Sequence, residues 1–198
     1  MHAEVTGAAA STPALGMKAR ILSAANELFY AQGIRATSAD RIIEQVGITK
    51  VTFYRHFRTK SDLVVAYLEQ QAAAERAWML SAIQEGDPTG SLRDLATGIG
   101  NASCQPGFRG CAFINAAAEF ADADDPVRVV VDAHREWMLQ VFGEIAAEAG
   151  VSDIDGTARQ LMLLRDGAMV NGYLGEPSEL SASLGAAFAS IMTPAMVG

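Results

Sequence analysis

Between Ile48 and Lys60 the chain reads ITKVTFYRHFRTK, a run whose side chains suit recognition of a polyanion better than catalysis. Lys50, Arg55, Arg58 and Lys60 supply cations, and Thr49, Thr52, Tyr54 and His56 interleave groups able to hydrogen-bond phosphate oxygens or base edges. The surroundings do not share this character. The formal net charge of the 198 residues is −8. Residues 1–60 hold eight Lys and Arg against four Asp and Glu, a balance of +4, whereas the other 138 hold seven against nineteen, a balance of −12. That asymmetry describes a basic head that meets a polyanion and an acidic body with another task.

Other reactive residues are few. Cys104 and Cys111 are too few for a disulfide framework and have no second pair at zinc-ligand spacing, so they are expected to be inert. A thiol-based redox sensor is the alternative they leave open. A hydrolase would have to combine Cys111 or Ser103 with His134 and an acid, but no glycine-flanked nucleophile turn accompanies them, so the chain is not expected to be an enzyme. No cofactor or metal requirement is read from the sequence. In the body, Asn115 and Glu119 lie four apart within AFINAAAEFA, where a polar pair either tethers a neighbouring helix or recognises the polar end of a ligand. Trp78, Phe113, His134, Trp137 and Met138, with Phe108 and Met169, offer the aromatic and thioether surface of a pocket for a hydrophobic or amphipathic small molecule.

These residues must be held by helices. Leu15, Ile21, Leu22, Ala25, Leu28 and Phe29 recur at helical spacing and predict a first amphipathic helix that ends near Gly33. Thr37 with Asp40 has the form of a capping box before a short second helix, stopped by Gly47. Thr49 opens a third helix, and Thr59 with Asp62 caps a long fourth one running toward Gln84. Pro88, Pro126 and Pro177 each follow an acid and mark later helix starts. Val127–Val131 is rich in β-branched residues, but the apolar pattern continues at helical period through Ile145, so it too is assigned to a helix. The expected fold is all-α with about nine helices. No apolar run approaches the roughly 20 residues of a membrane span. The opening MHAEVTGAAAST lacks the features of a secretory signal, so residues 1–13 are expected to be a flexible tail and the protein cytoplasmic.

Two short helices joined through Gly47 and sharing a core with the first describe a helix-turn-helix, whose second helix enters the DNA major groove. Thr49, Lys50 and Thr52 then stand nearest the base edges, and Tyr54, His56 and Lys60 are assigned to phosphates. Phe53 and Phe57 are expected in the core of the head, while Val51 is compatible with either environment.

The stretch ILSAANELFYAQGIRATSADRIIEQVGITKVTFYRHFRTKSDLVVAYL resembles the DNA-binding head of TetR-family transcriptional repressors, with Gly47, Ile48, Thr49, Thr52, Phe53, Tyr54, His56, Phe57, Lys60 and Leu63 on the family pattern. The resemblance implies that Thr37 or Ser38, Thr49, Lys50, Thr52, Tyr54, Arg55, His56 and Lys60 face double-stranded operator DNA. It further implies a head at residues 14–60 and an effector-binding and dimerisation body at residues 61–198. In that body, helices four to seven enclose the effector and the last two build a homodimer. Effector contacts are expected from Trp78, Phe113, Asn115, Glu119, His134, Trp137 and Met138. The implied function is a repressor released from DNA by a small molecule.

Overall fold

The computed structural model describes residues 16–175 and 177–192; the expected tail, Leu15 and Glu176 lie outside them. Among the described residues there are nine α-helices and no strand: α1 Met17–Gln32, α2 Ala39–Val46, α3 Lys50–His56, α4 Lys60–Ala82, α5 Pro88–Ser103, α6 Ala112–Glu119, α7 Pro126–Glu148, α8 Ile154–Leu174 and α9 Leu180–Met192. The all-α expectation holds.

Local chemistry accounts for most of the boundaries. Gly47 adopts φ 72°, ψ 43°, and the Gly47 and Ile48 amides both return to the Ile43 carbonyl, closing α2. At the start of α4 the capping box is complete: the Asp62 amide donates to Thr59 Oγ1 and the Thr59 amide to Asp62 Oδ2, each at 3.0 Å. Asp87 and Asp125 cap α5 and α7, with proline in the first turn of each helix. Pro177 differs from expectation. It opens a single 3-10 turn, Pro177–Glu179, and α9 starts only at Leu180.

The cap of α2 also differs from expectation. Ser38, not Thr37, accepts the Arg41 amide at 3.2 Å. Thr37 is fully buried, and its hydroxyl donates to the Gly33 carbonyl at 2.8 Å. The threonine therefore closes the α1–α2 turn from inside, because a buried hydroxyl must find an acceptor.

Among the described residues there are two hydrophobic cores. The first joins Ile21, Ala25 and Leu28 of α1 with Ile42, Phe53 and Phe57, and continues through Leu63, Tyr67 and Leu68 of α4 to Phe113, Ala116, Val127 and Val131. The head thus shares its core with α4, α6 and the start of α7. The second core gathers Met79, Leu92, Leu95, Met138, Phe142, Leu161 and Phe188 from α4, α5, α7, α8 and α9. Helices α5 and α9 approach closely at Gly100, where a Cβ would lie 2.6 Å from that of Ser181. Small residues of α9, whose sequence is LSASLGAAFASIM, are therefore used in part within the chain. No helix among the described residues is long and apolar enough to cross a membrane.

Candidate DNA interface and effector cavity

Thr49 is the N-cap of α3, and its Oγ1 accepts the Thr52 amide at 3.2 Å while lying 3.0 Å from Thr52 Oγ1. This pairing holds both hydroxyls at the N-terminal end of the helix. Phe53 is fully buried and Phe57 nearly so, as expected, which turns the opposite face of the helix outward. Lys50, Tyr54 and Arg55 are exposed there, and His56 and Thr52 are partly exposed. Tyr54 packs edge-on against Phe53 at 5.2 Å between centroids, so its ring is supported from behind. Val51, at 71% exposure, is the large apolar side chain that packing leaves uncovered on α3. Sequence reasoning left it undecided. Arg41 and Arg58 are further exposed cations that were counted only as charge.

Lys50, Thr37 and Lys60 also have partners within the protein. Lys50 Nζ pairs with Asp40 at 2.9 Å, which joins the starts of α2 and α3 and raises the lysine pKa through the Asp40 hydrogen bond. Thr37 is enclosed and cannot face DNA. Lys60 points inward: its ammonium donates to the Ile34 carbonyl at 2.6 Å and lies 6.0 Å from the Phe29 ring centre, and burial pushes its pKa down. It ties the start of α4 to the α1–α2 turn instead of presenting a free cation.

In the body, α1, α4, α5, α6 and α8 and the segment before α6 surround a cavity of about 510 Å³. Trp78, Ile99, Phe113 and Met169 supply apolar wall, and Tyr30, Gln71, Glu75, Cys111 and Arg165 supply polar groups. The Trp78 indole lies against Gly98, where a Cβ would come 2.4 Å from Cζ2, so that glycine makes room for the ring. Of the expected effector contacts Trp78 and Phe113 line this cavity, as does Met169 of the wider pocket set.

The others have different roles. His134, Trp137 and Met138 all belong to α7, which contributes no cavity wall. His134 is fully buried behind Phe113, stacked on it at 4.0 Å between centroids, and its Nε2 meets Glu75 Oε2 at 3.1 Å. Trp137 also stacks on His134, at 5.8 Å between centroids, and carries the Arg76 guanidinium 5.1 Å above its ring. Met138 is fully buried in the second core.

Of the two alternatives for this pair, the hydrogen bonds support the tether for Glu119, whereas Asn115 is exposed and bonds the segment before its own helix. Asn115 Nδ2 donates to the Arg109 carbonyl at 2.9 Å. Glu119 accepts the Ile34 amide at 2.9 Å and the Arg35 amide at 2.6 Å, gripping the α1–α2 turn of the head.

Sequence reasoning missed Glu75 and Arg165, the ionic floor of the cavity. Glu75 Oε1 accepts from Arg165 Nη2, Arg165 Nη1 donates to Asp166 at 3.2 Å, and Arg135 makes two bonds to Asp166 at 2.7 and 3.3 Å. Burial would push the Glu75 pKa up, but His134 and Arg165 outweigh it and hold the carboxyl below its ordinary value. Burial likewise opposes the Arg165 charge, and Cys111, Glu75 and Asp166 more than offset it. These residues are 90 positions apart in the chain, so only the i,i+4 phase of Glu75 with Met79 could have hinted at an inward carboxylate. Cys104 is exposed and Cys111 buried, and both are free thiols.

The sequence profile described as "Bacterial regulatory proteins, tetR family" matches residues 21–67, the span from α1 into α4. The crystal structure of SCO4454, a TetR-family transcriptional regulator from Streptomyces coelicolor, superposes with a TM-score of 0.83 at 39% identity, covering 88% of this chain and 93% of that one. The HTH-type transcriptional regulator TtgR of Pseudomonas putida is 29% identical over 171 residues, which span 75% of this chain and 81% of the relative. Escherichia coli NemR in its reduced form, at 19% identity and a TM-score of 0.73 over 88% of this chain and 94% of that one, shares the fold. An outward α3 capped by paired threonines, carried on a helical body and matched at 39% identity over nearly the whole chain, identifies this protein as a DNA-binding transcriptional regulator that belongs to the TetR family.

Proposed function

We propose that the protein is a dimeric repressor, acting in the cytoplasm, that leaves its operator when a small hydrophobic or amphipathic molecule occupies the cavity between the head and the body. In this reading residues 14–60 read DNA and residues 61–198 bind the effector and dimerise. Ser38, Thr49, Lys50, Thr52, Tyr54, Arg55 and His56 meet the duplex, and Val51 joins them as an apolar partner for a thymine methyl. Lys60 positions α4 against the head.

One observation carries the effector-responsive part. Tyr30 belongs to the head through α1 and to the cavity wall through its ring, while its hydroxyl donates to the Gly110 carbonyl and accepts the Arg109 amide, both at 2.9 Å. Arg109 Nη1 adds a bond to the Ala31 carbonyl at 2.6 Å. A ligand that displaces Tyr30 or the 109–111 segment acts directly on the end of α1. This route runs beside any motion of α4, and it satisfies the requirement that an effector distinguish two arrangements of the head.

Dimerisation through α8 and α9 is supported by the outer face of α8. Leu163, Val170 and Leu174 are 71%, 45% and 74% exposed and follow helical spacing, which is the pattern of an unpartnered apolar seam.

The test uses DNA selected by the protein from a random duplex library. Binding by fluorescence anisotropy should weaken steeply with salt, by about a thousandfold from 50 to 200 mM if six or more phosphates are neutralised. Tyr30→Phe removes the head-to-cavity hydrogen bonds and should blunt release by compounds that act on the wild type. Failure to enrich any sequence, or release identical in the two proteins, sinks the corresponding half of the proposal.

A further inference from the structure

Resting on the reading of this cavity as the effector site, we infer that its ligand is uncharged, with an aromatic body between Trp78 and Phe113 and a hydroxyl or carbonyl end on the Glu75–Arg165 pair.

The argument is one of charge balance. The ion-pair network behind the cavity, in which Arg165 is buried and the rest partly so, contains two carboxylates, Glu75 and Asp166, and two guanidiniums, Arg135 and Arg165. Its remaining titratable ring, His134, directs Nε2 at Glu75 and has no partner at Nδ1. Nε2 bonds the Glu75 carboxylate, and a proton on Nδ1 would be buried without an acceptor. The two carboxylates and two guanidiniums sum to zero. Cys111 and Tyr30 are the other titratable groups on the cavity wall, and burial pushes the Tyr30 pKa up, which keeps its hydroxyl protonated.

A charged ligand would therefore enter a site with no opposite charge left over, giving up part of its hydration. A cation meets Arg165 as readily as Glu75, and an anion meets Glu75 as readily as Arg165, so neither repays its lost hydration. A neutral hydroxyl donates to Glu75, and a neutral carbonyl accepts from Arg165. The aromatic body follows from the walls, since Trp78 and Phe113 line the cavity and Met169 adds adaptable surface.

Three probes on a common biphenyl frame separate the possibilities by calorimetric titration of the full chain at neutral pH: 4-phenylphenol, biphenyl-4-carboxylate and 4-phenylbenzylammonium. The phenol should bind at least about tenfold more tightly than either ion. Ala102→Phe, at an exposed position on the cavity wall, should reduce that binding. Glu75→Gln leaves the network one positive charge in excess and should raise affinity for the carboxylate about tenfold relative to the wild type. If Glu75→Gln does not fold, Asp166→Asn removes the same charge from a carboxylate further from the cavity and should shift the ranking in the same direction. A wild type that ranks an ion first overturns the inference and leaves the regulator reading intact, since operator binding is measured separately. Binding of the phenol unaffected by Ala102→Phe, or a folded charge variant with an unaltered ranking, overturns it as well. Failure of all three probes to bind overturns it and also removes this cavity from the regulator reading.

Discussion

Replacing Glu119 with Ala tests whether this carboxylate is a strut or a ligand contact. In the structure it accepts two backbone amides of the head, Ile34 at 2.9 Å and Arg35 at 2.6 Å. Ile34 is only 3% exposed, so its N–H would lose its acceptor with little access to water. Arg35 is exposed and its amide would be rehydrated. An orphaned buried donor costs about 1–3 kcal/mol and a lost charge-assisted bond to a solvated donor less, giving about 2–3 kcal/mol in total. For a chain of this size that lowers Tm by about 5–10 °C. Glu119→Gln, which keeps an amide oxygen in place, should cost about half as much. The assays are thermal unfolding by circular dichroism and hydrogen exchange read at Ile34 and Arg35, where protection should fall by about thirtyfold or more. Wild-type melting together with unchanged exchange at both amides would refute the strut.

Gly47→Ala should destabilise the protein by about 1–2 kcal/mol in chemical denaturation, because φ 72° places a Cβ in the left-handed region that L residues avoid. Asp40→Asn frees Lys50 from its ion pair and removes a negative charge near the DNA; anisotropy at 50 and 200 mM salt should show affinity for all duplexes rising by a few fold and a steeper salt slope. Val51→Ala should relax the preference for thymine at one position of the selected site by about 1 kcal/mol, with binding to random DNA unchanged. Because the folded Glu75 pKa lies below the ordinary 4.5, the stability contributed by its ionised form is complete above that value and is lost as pH falls toward the folded one. An acid-unfolding series should therefore show a shallower loss of stability below about pH 4.5 in Glu75→Gln than in the wild type.

The sequence by itself determined what depends on neighbours along the chain. The stop at Gly47, the capping box of Thr59 and Asp62 and the proline-led starts of α5 and α7 are local hydrogen-bonding and backbone preferences, legible from spacing of a few residues. The outward face of α3 followed from the same periodicity, since burying Phe53 and Phe57 leaves Tyr54 and Arg55 outside. Tertiary structure decided how residues far apart in the chain were used. Thr37 and Ser38 are chemically equivalent candidates for a cap, and only the buried carbonyl of Gly33 sent the threonine inward. Lys60 was drawn from the phosphates by a carbonyl 26 positions earlier, and Glu119 became a strut because two amides about 85 positions away lacked acceptors. The cavity itself is bounded by five helices, and its ionic floor joins Glu75 to Arg165 across 90 positions. Helical periodicity states which face turns inward, but which distant charge waits there is set by packing, because a buried ionic group is stable only beside the partner that the fold delivers.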